Sequence, residues 1–139
     1  PAIASEEDVK QAVLAAGKIS YSTGPSGDHL KRLFERWNVA GAIAERTVEA
    51  KPGVPVGTLV ARGEADLGFQ QLTELLGVDG IDIVGPLPPD IQTVTVFTAG
   101  VATRAAHPDG ARAFVAYLVS PQTQAAKRRL GMEPASHPA

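Results

Sequence analysis

Apolar positions along this chain recur with two periods. Val9, Ala12, Val13 and Ala16 lie three and four residues apart, as do Leu30, Leu33, Phe34 and Trp37. Both sets predict amphipathic helices. Ile19-Ser20-Tyr21-Ser22 alternates apolar and polar, which predicts the end of a strand. Ser5-Glu6-Glu7-Asp8 is expected to open the first helix, with Ser5 as N-cap and acids in the first turn, and Gly17 to end it. The second helix is expected from about Asp28 to Trp37, followed by a loop at Asn38-Val39-Ala40-Gly41.

Later segments repeat the alternation of types. A short strand is expected over residues 44–50, then a helix through Val56, Leu59 and Val60 that Gly63 closes. Residues 65–69 read as a buried strand and residues 73–76 as a helical turn. Residues 81–84 and 93–103 read as strands on either side of Gly85-Pro86-Leu87-Pro88-Pro89, a cluster that no central strand accommodates. Pro108 starts a helix through Leu118. Ser120-Pro121 then supplies a cap and a first helical residue for a last helix that stops at Gly131. Strands alternating with helices predict an α/β fold, a three-layer sandwich with a mostly parallel sheet. The expected division is residues 1–90, residues 91–132 for the return strand and C-terminal helices, and a tail over residues 133–139.

In parallel sheets ligands bind beyond the carboxyl ends of the strands. Three segments meet that condition: residues 23–27, the segment around Gly53, and Gln70-Gln71. They are expected to converge on one edge. The first of them, Thr23-Gly24-Pro25-Ser26-Gly27, joins a strand to a helix through small residues. Its hydroxyls and the free N–H groups of the helix start suit an anion or a ligand carboxylate. The competing reading makes Ser26 only an N-cap and the glycines only a turn.

Composition narrows the function. With 139 residues and 44% hydrophobic positions the chain can build a real core. It holds 13 basic and 15 acidic residues, and its net charge of −2 with no basic stripe argues against nucleic acid as the partner. Lys127-Arg128-Arg129 is expected in the last turn of a helix, where cations complement the dipole. There is no cysteine, which excludes disulfides, thiolate zinc sites and cysteine nucleophiles. No apolar run is long enough to span a bilayer. His29, His107 and His137 lack metal-ligand spacing and are expected on the surface. Glu64 and Asp66 could form a carboxylate pair, but Glu64 is expected in a turn rather than beside Asp66 on a strand. No Ser/His/Asp set, phosphate-loop lysine or dinucleotide fingerprint is present.

Taken together, the Thr23-Gly24-Pro25-Ser26-Gly27 turn, the run Arg62-Gly63-Glu64-Ala65-Asp66-Leu67-Gly68, Gly85-Pro86-Leu87-Pro88 and Ala113-Phe114-Val115-Ala116-Tyr117-Leu118-Val119-Ser120-Pro121 resemble the type 2 periplasmic substrate-binding proteins of ABC importers, nearest to their molybdate-binding branch. The resemblance implies two lobes that close on a ligand, of which this chain resembles the second lobe and the C-terminal return. It is accordingly expected to be a fragment of a longer chain, or to borrow the missing surface from a partner, including a swapped homodimer. The resemblance places Ser26 and Gly27 at a turn that donates an amide to the ligand, with Thr23 beside them. It places a second amide near Gly53. Gln71 falls where the molybdate branch carries a tyrosine, which leaves the ligand open between a molybdate-like oxyanion and an anionic metabolite. The expected function is therefore a periplasmic, non-enzymatic solute-binding domain that captures a small anion and presents it to an ABC permease, with no cofactor. The alternative is the ligand-sensing domain of a transcription regulator, or an orphan binding module.

Overall fold

A computed structural model describes residues 1–135, and His137 with the end of the expected tail lies outside them. The chain divides into two compact units, Pro1–Thr93 and the residues from Val94 onward. The first unit holds a three-stranded sheet in the order β2-β1-β3, with β1 at Ile19–Ser22, β2 at Thr47–Ala50 and β3 at Leu67–Phe69. Both pairings are parallel, with Ser20 opposite Val48 on one side and Gly68 on the other. Parallel neighbours need crossovers, and helices provide them. From β1 the chain passes through α2 (Pro25–Arg36), α3 (Ala40–Ile43) and a 3₁₀ turn at Ala44–Arg46 to β2. It returns through α4 (Val56–Ala61) to β3, with α5 (Leu72–Leu75) just beyond.

Strand alternation sorts the two faces. Ile19 and Tyr21 point into a cluster with Val9 and Val13 of α1 (Glu6–Ala15), Leu30, Leu33 and Phe34 of α2, Val39, Ile43 and Ile91. On the opposite face Ala50 packs with Val56 and Leu59. Helices on both faces of an all-parallel sheet give the α/β architecture that the pattern predicts. Gly68 is forced by this layering, because a Cβ there would stand 2.7 Å from Val56 and 2.8 Å from Val60.

Several ends have identifiable causes. Ser5 and Asp8 form a reciprocal capping box at the start of α1. That helix stops at Ala15 rather than Gly17, and the Arg46 guanidinium donates to the carbonyls of Leu14 in its last turn and Ala16 just past it. Asp66 is used structurally: its Oδ2 accepts from the Lys18 N–H at 2.7 Å, tying the start of β3 to the start of β1. Ala40 and Gly41, expected as loop, instead begin the short helix α3, and buried Ile43 anchors it in the core.

Residues 81–84 and 93–103 correct the reading further: neither run joins a ladder among the described residues. Alternation describes a strand only when a neighbour accepts its hydrogen bonds. Ile83 and Val84 of the first run are 41% and 48% exposed, and Val94 and Val96 of the second 79% and 67%. The second unit also contains α6 (Pro108–Leu118), a 3₁₀ turn at Pro121–Thr123 and α7 (Gln124–Arg129). The Thr123 hydroxyl and the Lys127 ammonium both donate to the Leu118 carbonyl, which fixes the turn between the helices.

Candidate ligand-binding site

Because the strands are parallel, all three carboxyl ends face the same edge. A cleft of about 340 Å³ opens there. Ser22 to Ser26 line it after β1, Ala50 to Pro55 after β2, and Gln70, Gln71 and Glu74 after β3. The expected convergence of three loops holds in the structure. Thr23, Ser26, Gly53 and Gln71 all reach this cleft. Gly27 does not line it. It is buried, and a Cβ on it would stand 1.8 Å from the Ser22 carbonyl oxygen. Its lack of a side chain is what lets α2 start so close to β1.

The first wall is the start of α2. That helix begins at Pro25, three residues before the expected Asp28, and Gly24 is its N-cap. Glycine has no side chain to accept from the first turn, and no side-chain cap is formed. Ser26 therefore is not the cap. It sits inside the first turn, and its hydroxyl lies 3.0 Å from the Ser22 hydroxyl. One of the two must donate to the other, which leaves the acceptor's own hydrogen for a further bond. Asp28 is exposed and lies outside the lining, so its charge is not set against the cleft.

The second wall is a tight turn. The Val54 N–H donates to the Lys51 carbonyl at 2.9 Å, with Pro52 and Gly53 between. Gly53 has φ +81°, the third-position geometry of a type II turn, which favours glycine. Gly53 is thus a turn former on the cleft wall. The next free amide along the chain is not available to a ligand: the Val56 N–H donates to Gln70 Oε1 at 2.9 Å. Gln70 lies fourteen residues away on the third wall. Sequence reasoning favoured Gln71 and passed over Gln70, since no local pattern signals a bond across that separation. Gln71 is the N-cap residue of α5 and takes part in an interaction of its own.

The lining holds one ammonium, Lys51, and one carboxylate, Glu74, both exposed. Everything else on it that is polar is a neutral hydroxyl, carboxamide or backbone group. Such a surface can match the lone pairs of a carboxylate, polarise it, and leave room for one acid–base group. Among the described residues no group of three or more His, Asp or Glu side chains could hold a metal ion.

A second groove of about 370 Å³ runs along Tyr21, Lys31, Phe34 and Glu49. Two of its charged groups pair with each other. Lys31 Nζ donates to Glu49 at 2.5 Å, which raises the lysine above its ordinary value. The Thr47 hydroxyl donates to the Ile43 carbonyl. Burial pushes the Tyr21 hydroxyl up as well. His29 corrects another expectation: it is partly buried, and its Nε2 lies 2.8 Å from the Ile91 carbonyl, tying α2 to the segment after the proline cluster. His107 is exposed at the start of α6.

This architecture and cleft agree with the family comparison. Residues 1–133 match the model of the bacterial extracellular solute-binding proteins, and the chain belongs to that family. Membership suggests a periplasmic or extracellular location, and among the described residues no helix is long and apolar enough to cross a membrane. The chain is also 39% identical over 135 residues to a protein from Pseudomonas sp named aconitate isomerase. That alignment takes in 96% of this chain and 51% of the relative, so the chain spans about half the relative's length. No solved structure matches. The relative carries an enzyme's name, which overturns the expectation that the chain is not an enzyme. Nothing in the sequence signals this, because neutral donors around a cleft suit capture and catalysis alike.

Proposed function

We propose that this chain forms one wall of a cleft for a small unsaturated polycarboxylate of the aconitate class, and that the protein acts as an isomerase on it. The observation that carries this reading is the identity to the Pseudomonas relative over nearly the whole chain, joined to a cleft lined by donors suited to carboxylates. A planar carboxylate, rather than a tetrahedral oxyanion such as molybdate, is the anion proposed.

The chemistry fits the residues. A propenetricarboxylate carries its double bond on one side of the central carbon and a methylene on the other. Removing a proton from the methylene and returning one to the methine carbon moves the double bond across, and no atom or electron is gained or lost. Charge develops on the carboxylate oxygens in between, where fixed neutral donors stabilise it. The start of α2, the Ser22 and Ser26 hydroxyls and the Lys51 ammonium hold substrate carboxylates in this reading. Glu74, the carboxylate of the lining, takes the proton.

Proton NMR of the chain with trans-aconitate in D₂O tests it. Saturable shifts of cleft residues, appearance of the cis isomer and deuterium entry at the methylene and methine positions are expected. Glu74→Gln should keep the binding and lose the exchange. Absence of any binding to either isomer sinks the reading. Capture of the same anion for an ABC permease is a second reading, supported by the family match, and binding without exchange or turnover favours it.

A further inference from the structure

The most informative contact in the cleft is the one between Gln70 and the start of α4. A backbone N–H can only donate, so the atom that Val56 meets at 2.9 Å must be the carboxamide oxygen. The usual ambiguity between the two ends of a glutamine side chain is removed by chemistry. Gln70 is partly buried and lines the cleft, so with its oxygen held by Val56 its NH₂ is the end left for a ligand. The side chain cannot turn over to offer its oxygen without abandoning the Val56 amide and leaving that donor without its partner.

We propose that Gln70 is a specificity-determining residue of the cleft: locked by Val56, it presents donors only, and so selects ligands by acceptor-rich groups such as carboxylates against groups that donate. This rests on the polycarboxylate reading given above and deepens it. The donor set facing the ligand is fixed by a bond that belongs to the fold, not chosen by the ligand. Gln70 thereby does two jobs with one side chain: its oxygen closes the start of α4, and its nitrogen faces the cleft.

Gln70→Glu separates the two jobs. Its carboxylate can still accept from the Val56 N–H, but its second oxygen now offers an acceptor and a charge to the cleft. The probe is tricarballylate, the saturated tricarboxylate, which binds without reacting, and the readout is isothermal titration calorimetry on the full chain. The wild type is expected to bind saturably, and Gln70→Glu to bind at least tenfold more weakly with an unchanged melting temperature and a Val56 amide still protected from hydrogen exchange. Equal affinity in the two proteins overturns the proposal while leaving the polycarboxylate reading in place. A wild type silent to tricarballylate and to both aconitates removes that reading, and this proposal with it. If Gln70→Glu does not fold, the Gln70 side-chain NH₂ resonance of the ¹⁵N-labelled wild type decides. A shift on saturation is expected, and a resonance that stays in place overturns the proposal.

Discussion

The Trp37 indole N–H donates to the Glu6 carboxylate at 2.5 Å and joins the first turn of α1 to the end of α2. Arg36 donates to the same oxygen. The indole bond, with the guanidinium second, holds the Glu6 carboxyl below its ordinary value of 4.5. A carboxyl lowered in the folded state stabilises the fold above its unfolded value, and that contribution is lost as pH falls through the folded one. Trp37 is the sole tryptophan, so its emission reports the event directly. Acidification from neutral pH should change Trp37 fluorescence below the ordinary glutamate range, and Glu6→Gln should lack that change. Superimposable titrations would show that the bond is not coupled to Glu6 ionisation.

Gly24 offers a way to test what the start of α2 is for. It is an N-cap without a side chain, its backbone is extended at φ −89° and ψ −168°, and nothing stands within 4 Å of an added Cβ. Gly24→Asp should therefore fit and cap the first turn, raising stability by a few tenths of a kcal/mol. The same carboxylate would occupy the N–H groups that the polycarboxylate reading gives to substrate. Higher melting temperature with weaker binding of aconitate is the expected pair of results. Unchanged affinity would take the α2 start out of the site.

Gly27 should behave in the opposite way. Its missing Cβ would lie 1.8 Å from a backbone oxygen of Ser22, which no rotamer change relieves. Gly27→Ala is expected to cost about 3 kcal/mol or more by pushing α2 away from β1. Denaturant unfolding measures it, and a loss under about 1 kcal/mol would mean that the helix start yields easily.

Ser20 is fully buried at the centre of the sheet, and its hydroxyl has no hydrogen-bond partner among the described residues. Removing an unpaired buried polar atom is neutral or favourable. Ser20→Ala should leave the denaturant midpoint unchanged or raise stability by about 1 kcal/mol. A clear loss would reveal a partner for that hydroxyl in solution.

How much of this was legible in the sequence depends on the range of the interaction concerned. Ser5 with Asp8, the alternation at Ile19 to Ser22, and Pro108 at the head of α6 are local signals, and each element stands where they place it. The start of α2 was placed late because Gly24, a cap with no side chain, gives no sign of its role. Residues 93–103 have a strand's composition without a strand's neighbour, and composition alone cannot supply one. Of the cleft, the loops could be read because they follow strands. The bonds that assign tasks within it, from Val56 to Gln70 and between Ser22 and Ser26, connect side chains that only folding brings together. The histidine at position 29 was misjudged for the same reason, its partner being sixty-two residues away.

Every lining residue of the cleft belongs to one of three segments that begin where β1, β2 and β3 end. The buried framework of Val13, Ile19, Phe34 and Val56 contributes packing beneath them. Recognition and folding are thus written largely in separate parts of the chain, with Ala50 and Gln70 serving both. Exchanging the three short segments for those of a cousin with different tastes should transplant its ligand preference onto this scaffold, so long as Gly27 and the oxygen of residue 70 are carried along.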